Sequence, residues 1–345
     1  MAITVDIEKK LGNFHLNVNF SGENEVIALL GASGSGKSMT LKYIAGIEKP
    51  DKGRIIVNGV TLFDSEKGIN LTPQQRRTGL LFQSYALFPN MTVEQNILAG
   101  THREKDAAHR RAMAKQIMAR FHLEDQASLY PRQLSGGQQQ RTALARLLVS
   151  GPDILLLDEP FSALDSHLRF RMEQEVRQII RDFGKTVVLV SHDRDEVYRL
   201  ADQIAVLDAG AVSVCGEKQA VFRNPQTRAA AVLTGCKNIS RAIPIDETHV
   251  FAADWKMTLE VLPGGQDCEY VGIRMHDLRP GAGINPFSCR VVSRIENPFS
   301  VTLFLQAGDA PNSLGWEFPK TEKAACLGQT ITVCLPPEKI LLLKG

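Results

Sequence analysis

Two glycine turns in this chain open onto helix-like segments, and each is suited to holding an anion. The first, "GASGSGKS" at 31–38, follows G-x-x-x-x-G-K-[ST]. Gly31, Gly34 and Gly36 let backbone N–H groups converge, with Ser33 among them, around phosphate oxygens. Lys37 reaches the outer two phosphates of a nucleotide, and Ser38 can hold Mg²⁺. Met39 follows in the first turn of a helix whose positive end faces the same anion. The second turn, "LSGGQ" at 134–138, places Ser135, Gly136, Gly137 and Gln138 at another helix start, about a hundred residues later.

Other chemistry-bearing residues stand at strand ends. Asp158 closes the apolar run "DILLLDEP", where a carboxylate can hold Mg²⁺ through water. Glu159, one residue on, can orient an attacking water as a base. A solvated acidic pair after a strand would read the same way. Gln83 ends "GLLFQ", and its neutral amide can touch Mg²⁺ or that water without adding charge. His192 ends "VVLVSH", level with Glu159 across a parallel sheet, and can meet the γ-phosphate. A lone histidine at a strand end is more often structural. "SALD" at 162–165 would be a turn in most proteins.

These side chains need strands that end at one edge. Residues 1–30 predict strands, the last being "EVIALLG", and 37–47 predict a helix. Asn58-Gly59 within "GRIIVNGVTLF" marks a hairpin. Residues from about 93 to 130 have a polar helical pattern. The continuous apolar runs at 153–160 and 185–192 suit a parallel sheet covered on both faces. "MEQEVRQIIRDFG" between them predicts the crossover helix, closed by Gly184. Near 235 the texture changes to short strands separated by Gly and Pro, which predicts a small all-β, barrel-like domain.

Composition excludes some functions. The 40 Lys and Arg nearly balance the 38 Asp and Glu among 345 residues, so charge points to neither nucleic acid nor an anionic membrane surface. No apolar run approaches the roughly 18–20 residues of a spanning helix, and the N-terminus carries no secretion segment. Cys215, Cys236, Cys268, Cys289, Cys326 and Cys334 form no CxxC pair, which argues against zinc. Reduced thiols in a cytosolic protein are the default.

In order and spacing, "GASGSGKS", "LLFQ", "LSGGQ", "LLLDEP", "SALD" and "SH" resemble the nucleotide-binding subunits of ABC transporters over residues 1 to about 230. The resemblance implies a P-loop ATPase fold, α/β, over 1–232 with a helical subdomain at about 88–150. An oligonucleotide-fold-like (TOBE/MOP-type) β regulatory domain would follow over 236–345. It also explains the second turn. In that family two copies pack head to tail, which implies that Ser135, Gly136, Gly137 and Gln138 of one cap the γ-phosphate of ATP held by the other. By the same resemblance Glu159 is the base, His192 and Gln83 assist it, and Asp165 belongs to the cross-copy contacts. Ser38, Gln83 and Asp158 hold Mg²⁺. One departure stands out: Leu11 occupies the position where the family places an aromatic ring for adenine, with Phe14 three residues on.

The β tail resembles the importer branch. "EKGINLTPQQRRTGLLFQ" and "LGNFHLNVNF" resemble molybdate importer ATPases, with sulfate/thiosulfate, ferric iron and polyamine importers as alternatives. The implied partners are a second copy, two membrane permease subunits and, indirectly, an extracytoplasmic binding protein. The implied place is the cytoplasmic face of the cell membrane. In "SYALFPNMTVEQNI", Tyr85, Leu87 and Phe88 read as exposed, where the family receives a permease helix; packing inside a subdomain is the other reading. "GCKNISRA" is similar to the opening of molybdate-binding repeats, which makes Lys237 and Ser240 donors to an oxyanion. A structural dimerisation domain is the alternative for the tail. A soluble ABC ATPase is the competing class for the whole chain.

Overall fold

The apolar runs "VIALLG", "ILLLD" and "VVLVS" are buried at every residue, as strands covered on both faces must be. They form the parallel centre of a large sheet in a computed structural model that describes residues 2–162, 166–321 and 326–345. Among the described residues the chain divides into two compact units, Met1–Lys218 and Gln219–Gly345.

In the first unit, strand Val26–Gly31 pairs in parallel with Val187–Ser191 on one side and Gln203–Asp208 on the other. Val187–Ser191 continues to Ile154–Asp158, and that strand to Thr78–Leu81. The registers Leu30↔Ser191, Asp158↔Val190 and Leu81↔Leu157 bring these strand ends to one edge. The other part of this 11-stranded sheet is largely antiparallel. Ala2–Leu11 pairs with Phe14–Glu23 and with Lys52–Val57, and alternate residues such as Leu16, Val18 and Phe20 enter the core. Asn58 and Gly59, at φ 52° and 77°, make the expected hairpin turn.

The polar helical stretch resolves into Val93–Gly100 and Ala107–Arg120, followed by Gly136–Leu148, the signature helix that opens at "LSGGQ". The pattern breaks before Ala107 because Asp106 caps the second helix, accepting from the amides of Ala108 and His109. The crossover helix starts at Ser166 rather than Met172 and stops before Gly184 at φ 62°.

The second unit holds two five-stranded sheets over an apolar core that includes Trp255, Leu303 and Trp316. Strand Leu314–Pro319 pairs with Ser300–Gln306 and has no counterpart among the strands expected from the sequence. Helix Arg228–Leu233 precedes the change of texture near 235 but packs within this unit. Ala231 packs with Cys236 and Leu343, and Arg274 donates to the carbonyls of Phe222 and Thr234 on either side of the helix. The described helices include none long and apolar enough to cross a membrane.

Candidate nucleotide site

The cradle is built by a strand that ends in glycine and a helix that begins without a cap. Gly36 precedes helix Lys37–Ala45 at φ 100°, and among the described residues no side chain caps its start. Its first amides are left to a ligand. A Cβ on Gly36 would lie 2.2 Å from Leu16 Cδ1, and one on Gly31 would lie 2.5 Å from the carbonyl oxygen of Leu207. Both positions therefore need glycine for space, and Gly36 also for its left-handed backbone. Lys37 is buried, and its ammonium donates to the carbonyls of Gly31 and Ala32 at 2.7 and 2.8 Å. Burial lowers the pKa of this group, while Glu159 and Asp158 oppose the fall.

The carboxylates follow from the strand register. Asp158 is buried at the end of its strand and accepts a hydrogen bond from Ser38 Oγ at 2.7 Å. Burial raises its pKa, with Ser38 pulling the other way and Glu159 adding to the rise. Glu159 adopts φ 43°, unusual for a residue with a side chain. Its backbone is tied on both sides: its N–H donates to Val190, and its carbonyl accepts from Ser162. A strained position held this way is typical of functional sites. His192 Nδ1 stands 3.1 Å from Glu159 Oε1.

Leu11, Phe14, Ser33, Gly34, Gly36, Lys37, Ser38, Met39, Lys42, Gln83 and Glu159 line one cavity of about 600 Å³. The structure thus gathers most of the expected cradle and catalytic residues. Lys42, which no motif singles out, lies one turn after Ser38 on the same helix face. Leu11 is 38% exposed at the cavity's apolar side, with Phe14 beside it. Arg76 braces the cradle helix. Its buried guanidinium donates to the carbonyls of Tyr43 and Ile44 at the far end of the cradle helix, and no local pattern announces it.

Ser135, Gly136, Gly137 and Gln138 do not line this cavity. Ser135 caps helix Gly136–Leu148 in a reciprocal pair: its Oγ accepts from the Gln138 amide, and Gln138 Oε1 accepts from the Ser135 amide. Asp165 lies outside the described residues.

The segment after Gln83 corrects one expectation. Tyr85 is only 4% exposed, Leu87 is half-buried, and Phe88 is 47% exposed. Left-handed backbone at Tyr85 and Ala86, φ 60° and 45°, turns the tyrosine inward. Its hydroxyl donates to the carbonyl of Pro160, and its own carbonyl accepts from Arg146 on the signature helix. Arg146 also lies 5.1 Å from the Phe88 ring centre. In the second unit, Ser240 is buried, donates to the Arg241 carbonyl and accepts from the Asp254 amide, while Lys237 is exposed.

A family model described as ABC transporter matches residues 13–162. The chain is 42% identical over 222 residues to the putrescine transport ATP-binding protein PotG of Escherichia coli K12, covering 64% of this chain and 57% of that protein. It is 38% identical over 226 residues to the molybdenum import ATP-binding protein ModC of Paramagnetospirillum magneticum, covering 66% and 62%. The matched part thus spans less than two thirds of either relative. The sulfate/thiosulfate import ATP-binding protein CysA of Synechococcus elongatus is 34% identical over 339 residues, covering 96% of this chain and 88% of that protein. Among solved structures, a dimeric ATP-binding cassette in a post-hydrolysis state with ADP and Pi matches with a TM-score of 0.54 and 31% identity. It covers 63% of this chain and 99% of that one.

Proposed function

Because the chain belongs to the ABC transporter family, as an ATP-binding protein of importer type, we propose that it binds and hydrolyses ATP as the energising subunit of an importer. The fold is the ABC ATPase P-loop fold, followed by a β-rich region of TOBE-like kind. The observation that carries the reading is the contact of His192 with Glu159 at the mouth of the cradle. Glu159 accepts a proton from the attacking water, and His192 orients it. Lys37 and the open amides of the cradle hold the phosphates.

Ser38, Asp158 and Gln83 offer oxygen donors of the kind Mg²⁺ prefers, two of them already 2.7 Å apart. Bound there, the ion would neutralise charge on the outer phosphates.

A dimer completes the site in this reading. Ser135, Gly136, Gly137 and Gln138 of one copy close over the γ-phosphate of the other, and Asp165 takes part in the same contact. That arrangement accounts for a capped helix start standing apart from the cavity. Two permease subunits dock on the segment that exposes Phe88, and an extracytoplasmic binding protein delivers cargo to them. The protein sits peripherally at the cytoplasmic face of the cell membrane. The test is Glu159→Gln with ATP and Mg²⁺. Phosphate release falls by about two orders of magnitude or more, and light scattering finds a dimer. A variant that stays single under those conditions removes the shared-nucleotide arrangement.

Molybdate or tungstate is the cargo we favour, on the likeness of residues 66–83 to molybdate importer ATPases. Sulfate/thiosulfate, ferric iron and polyamines are the alternatives. An oxyanion bound by the second unit would meet Lys237 and nearby amides, since the Ser240 hydroxyl is already engaged. A thermal-shift series on the full chain with molybdate, tungstate, sulfate and Fe³⁺ separates these readings through the ligand that stabilises it.

A further inference from the structure

His192 leaves the sheet through a turn whose anchor lies beneath it. Strand Val187–Ser191 ends at Ser191, and helix Arg194–Leu200 starts two residues after His192. Ser191 Oγ donates to Glu196 Oε2 at 3.0 Å and accepts from the Asp193 amide at 3.0 Å. The turn carrying His192 is thus closed on itself through one serine hydroxyl, and Glu196 holds that hydroxyl.

Glu196 is 5% exposed, and its Oε1 has no hydrogen-bond partner among the described residues. From its own helix it faces Asp193, which caps that helix. From helix Ser166–Phe183 it faces Glu173 and Arg169. Arg169 already lies 3.5 Å from Asp193, and Glu173 is taken by Arg199. An ionised Glu196 would therefore add a buried charge whose facing cation, Arg169, is already shared with Asp193, and would leave one oxygen unsolvated, which is costlier than an unmade bond to a neutral acid. Burial above all, with Asp193 and Glu173, pushes the Glu196 carboxyl up to about 8, against Ser191 and Arg169.

We infer that Glu196 is a positioning residue for His192: as a neutral acid acting through Ser191, it holds the turn that presents His192 to Glu159, and hydrolysis slows as that acid ionises. The inference rests on the ATPase reading above. Glu196 does not line the cradle cavity, so it governs the rate of hydrolysis rather than the binding of ATP.

The test measures kcat and KM for ATP between about pH 6.5 and about 9.5 for the full chain and for Glu196→Gln and Glu196→Ala. Unsubstituted protein loses about tenfold in kcat per pH unit above about 8, with KM steady. Alanine lowers kcat throughout; glutamine, isosteric and never charged, restores most of that loss and removes the alkaline fall. A glutamine variant that keeps the alkaline fall overturns the inference. A second readout needs no turnover. A carboxyl whose pKa is raised on folding contributes most below its unfolded pKa and loses that contribution as pH rises through the folded value. The melting temperature of the unsubstituted chain should therefore drop relative to Glu196→Gln between about pH 4.5 and about 8, then level. A constant gap across that range also overturns the inference. A sloping gap without hydrolysis in any variant supports the neutral acid and overturns the ATPase reading instead.

Discussion

Ser38 Oγ and Asp158 Oδ1 lie 2.7 Å apart, joining the start of the cradle helix to the end of a central strand. Asp158 is 9% exposed, and burial holds its carboxyl above the usual range. Its contribution to stability is thus largest below the unfolded carboxylate pKa and lost as pH rises through the folded one. Asp158→Asn keeps the shape and the bond from Ser38 while deleting the charge. It should raise the melting temperature of the nucleotide-free protein at neutral pH and weaken Mg²⁺·ATP binding about tenfold or more, a trade typical of site residues. Calorimetry without ligand and titration with Mg²⁺·ATP check both halves. A variant less stable than the parent with unimpaired binding takes Asp158 out of the site.

Gly36 has two reasons to be glycine, φ 100° and a Leu16 methyl 2.2 Å from where a Cβ would stand. Gly34 has only the first, with φ 82° and open space around it. Gly34→Ala should therefore cost about 1 kcal/mol of backbone strain, and Gly36→Ala about 1–3 kcal/mol more through displacement of Leu16. Urea unfolding of both variants measures the difference. Equal losses would mean that the Leu16 contact yields freely.

Ser135 serves its own helix as a cap, and the proposed dimer asks a second task of it. Asp106 caps helix Ala107–Arg120 in the same unit with no such task. Ser135→Ala and Asp106→Ala should each lower stability by about 1 kcal/mol. In a Glu159→Gln background only Ser135→Ala should also reduce dimerisation with ATP, by about tenfold. Sedimentation of the two double variants decides it, and equal dimerisation would leave Ser135 as a helix cap alone.

What could be read from the sequence was what repeats a local rule. The cradle is contiguous, and three runs buried at every residue announce parallel strands whose ends must align, so Glu159 and His192 meet as expected. Contacts made by chain folding carry no such pattern. Arg76 reaches carbonyls 32 and 33 residues back, and nothing around "QQRRT" marks which arginine goes inside. Tyr85 turns inward through two left-handed residues, neither of them glycine. Strand Leu314–Pro319 lies among Asn, Gly and Pro and earns its place by pairing with Ser300–Gln306. Glu196 looks like an ordinary acid in a helix's first turn; its burial makes it unusual, with Asp193 and Glu173 adding to the effect.

Leu11 offers the last prediction. It is 38% exposed on the wall of the nucleotide cavity, where a purine ring leaving the cradle would lie, and Phe14 lines the same wall. An aliphatic side chain gives a base apolar area but no ring face, so it discriminates weakly between purines. Leu11→Phe supplies a stacking face worth about 0.5–1.5 kcal/mol beyond area. At a partly exposed site the lower end applies, so ATP affinity should rise about two- to fourfold. Because every base has a π-face, GTP affinity should rise nearly as much, leaving the ATP/GTP ratio within about twofold. Phe14→Ala should weaken both nucleotides. Competition of each nucleotide against a fluorescent ATP analogue measures all four constants. If Leu11→Phe leaves both affinities unchanged, the base lies elsewhere and the strand end at Leu11 is not its platform.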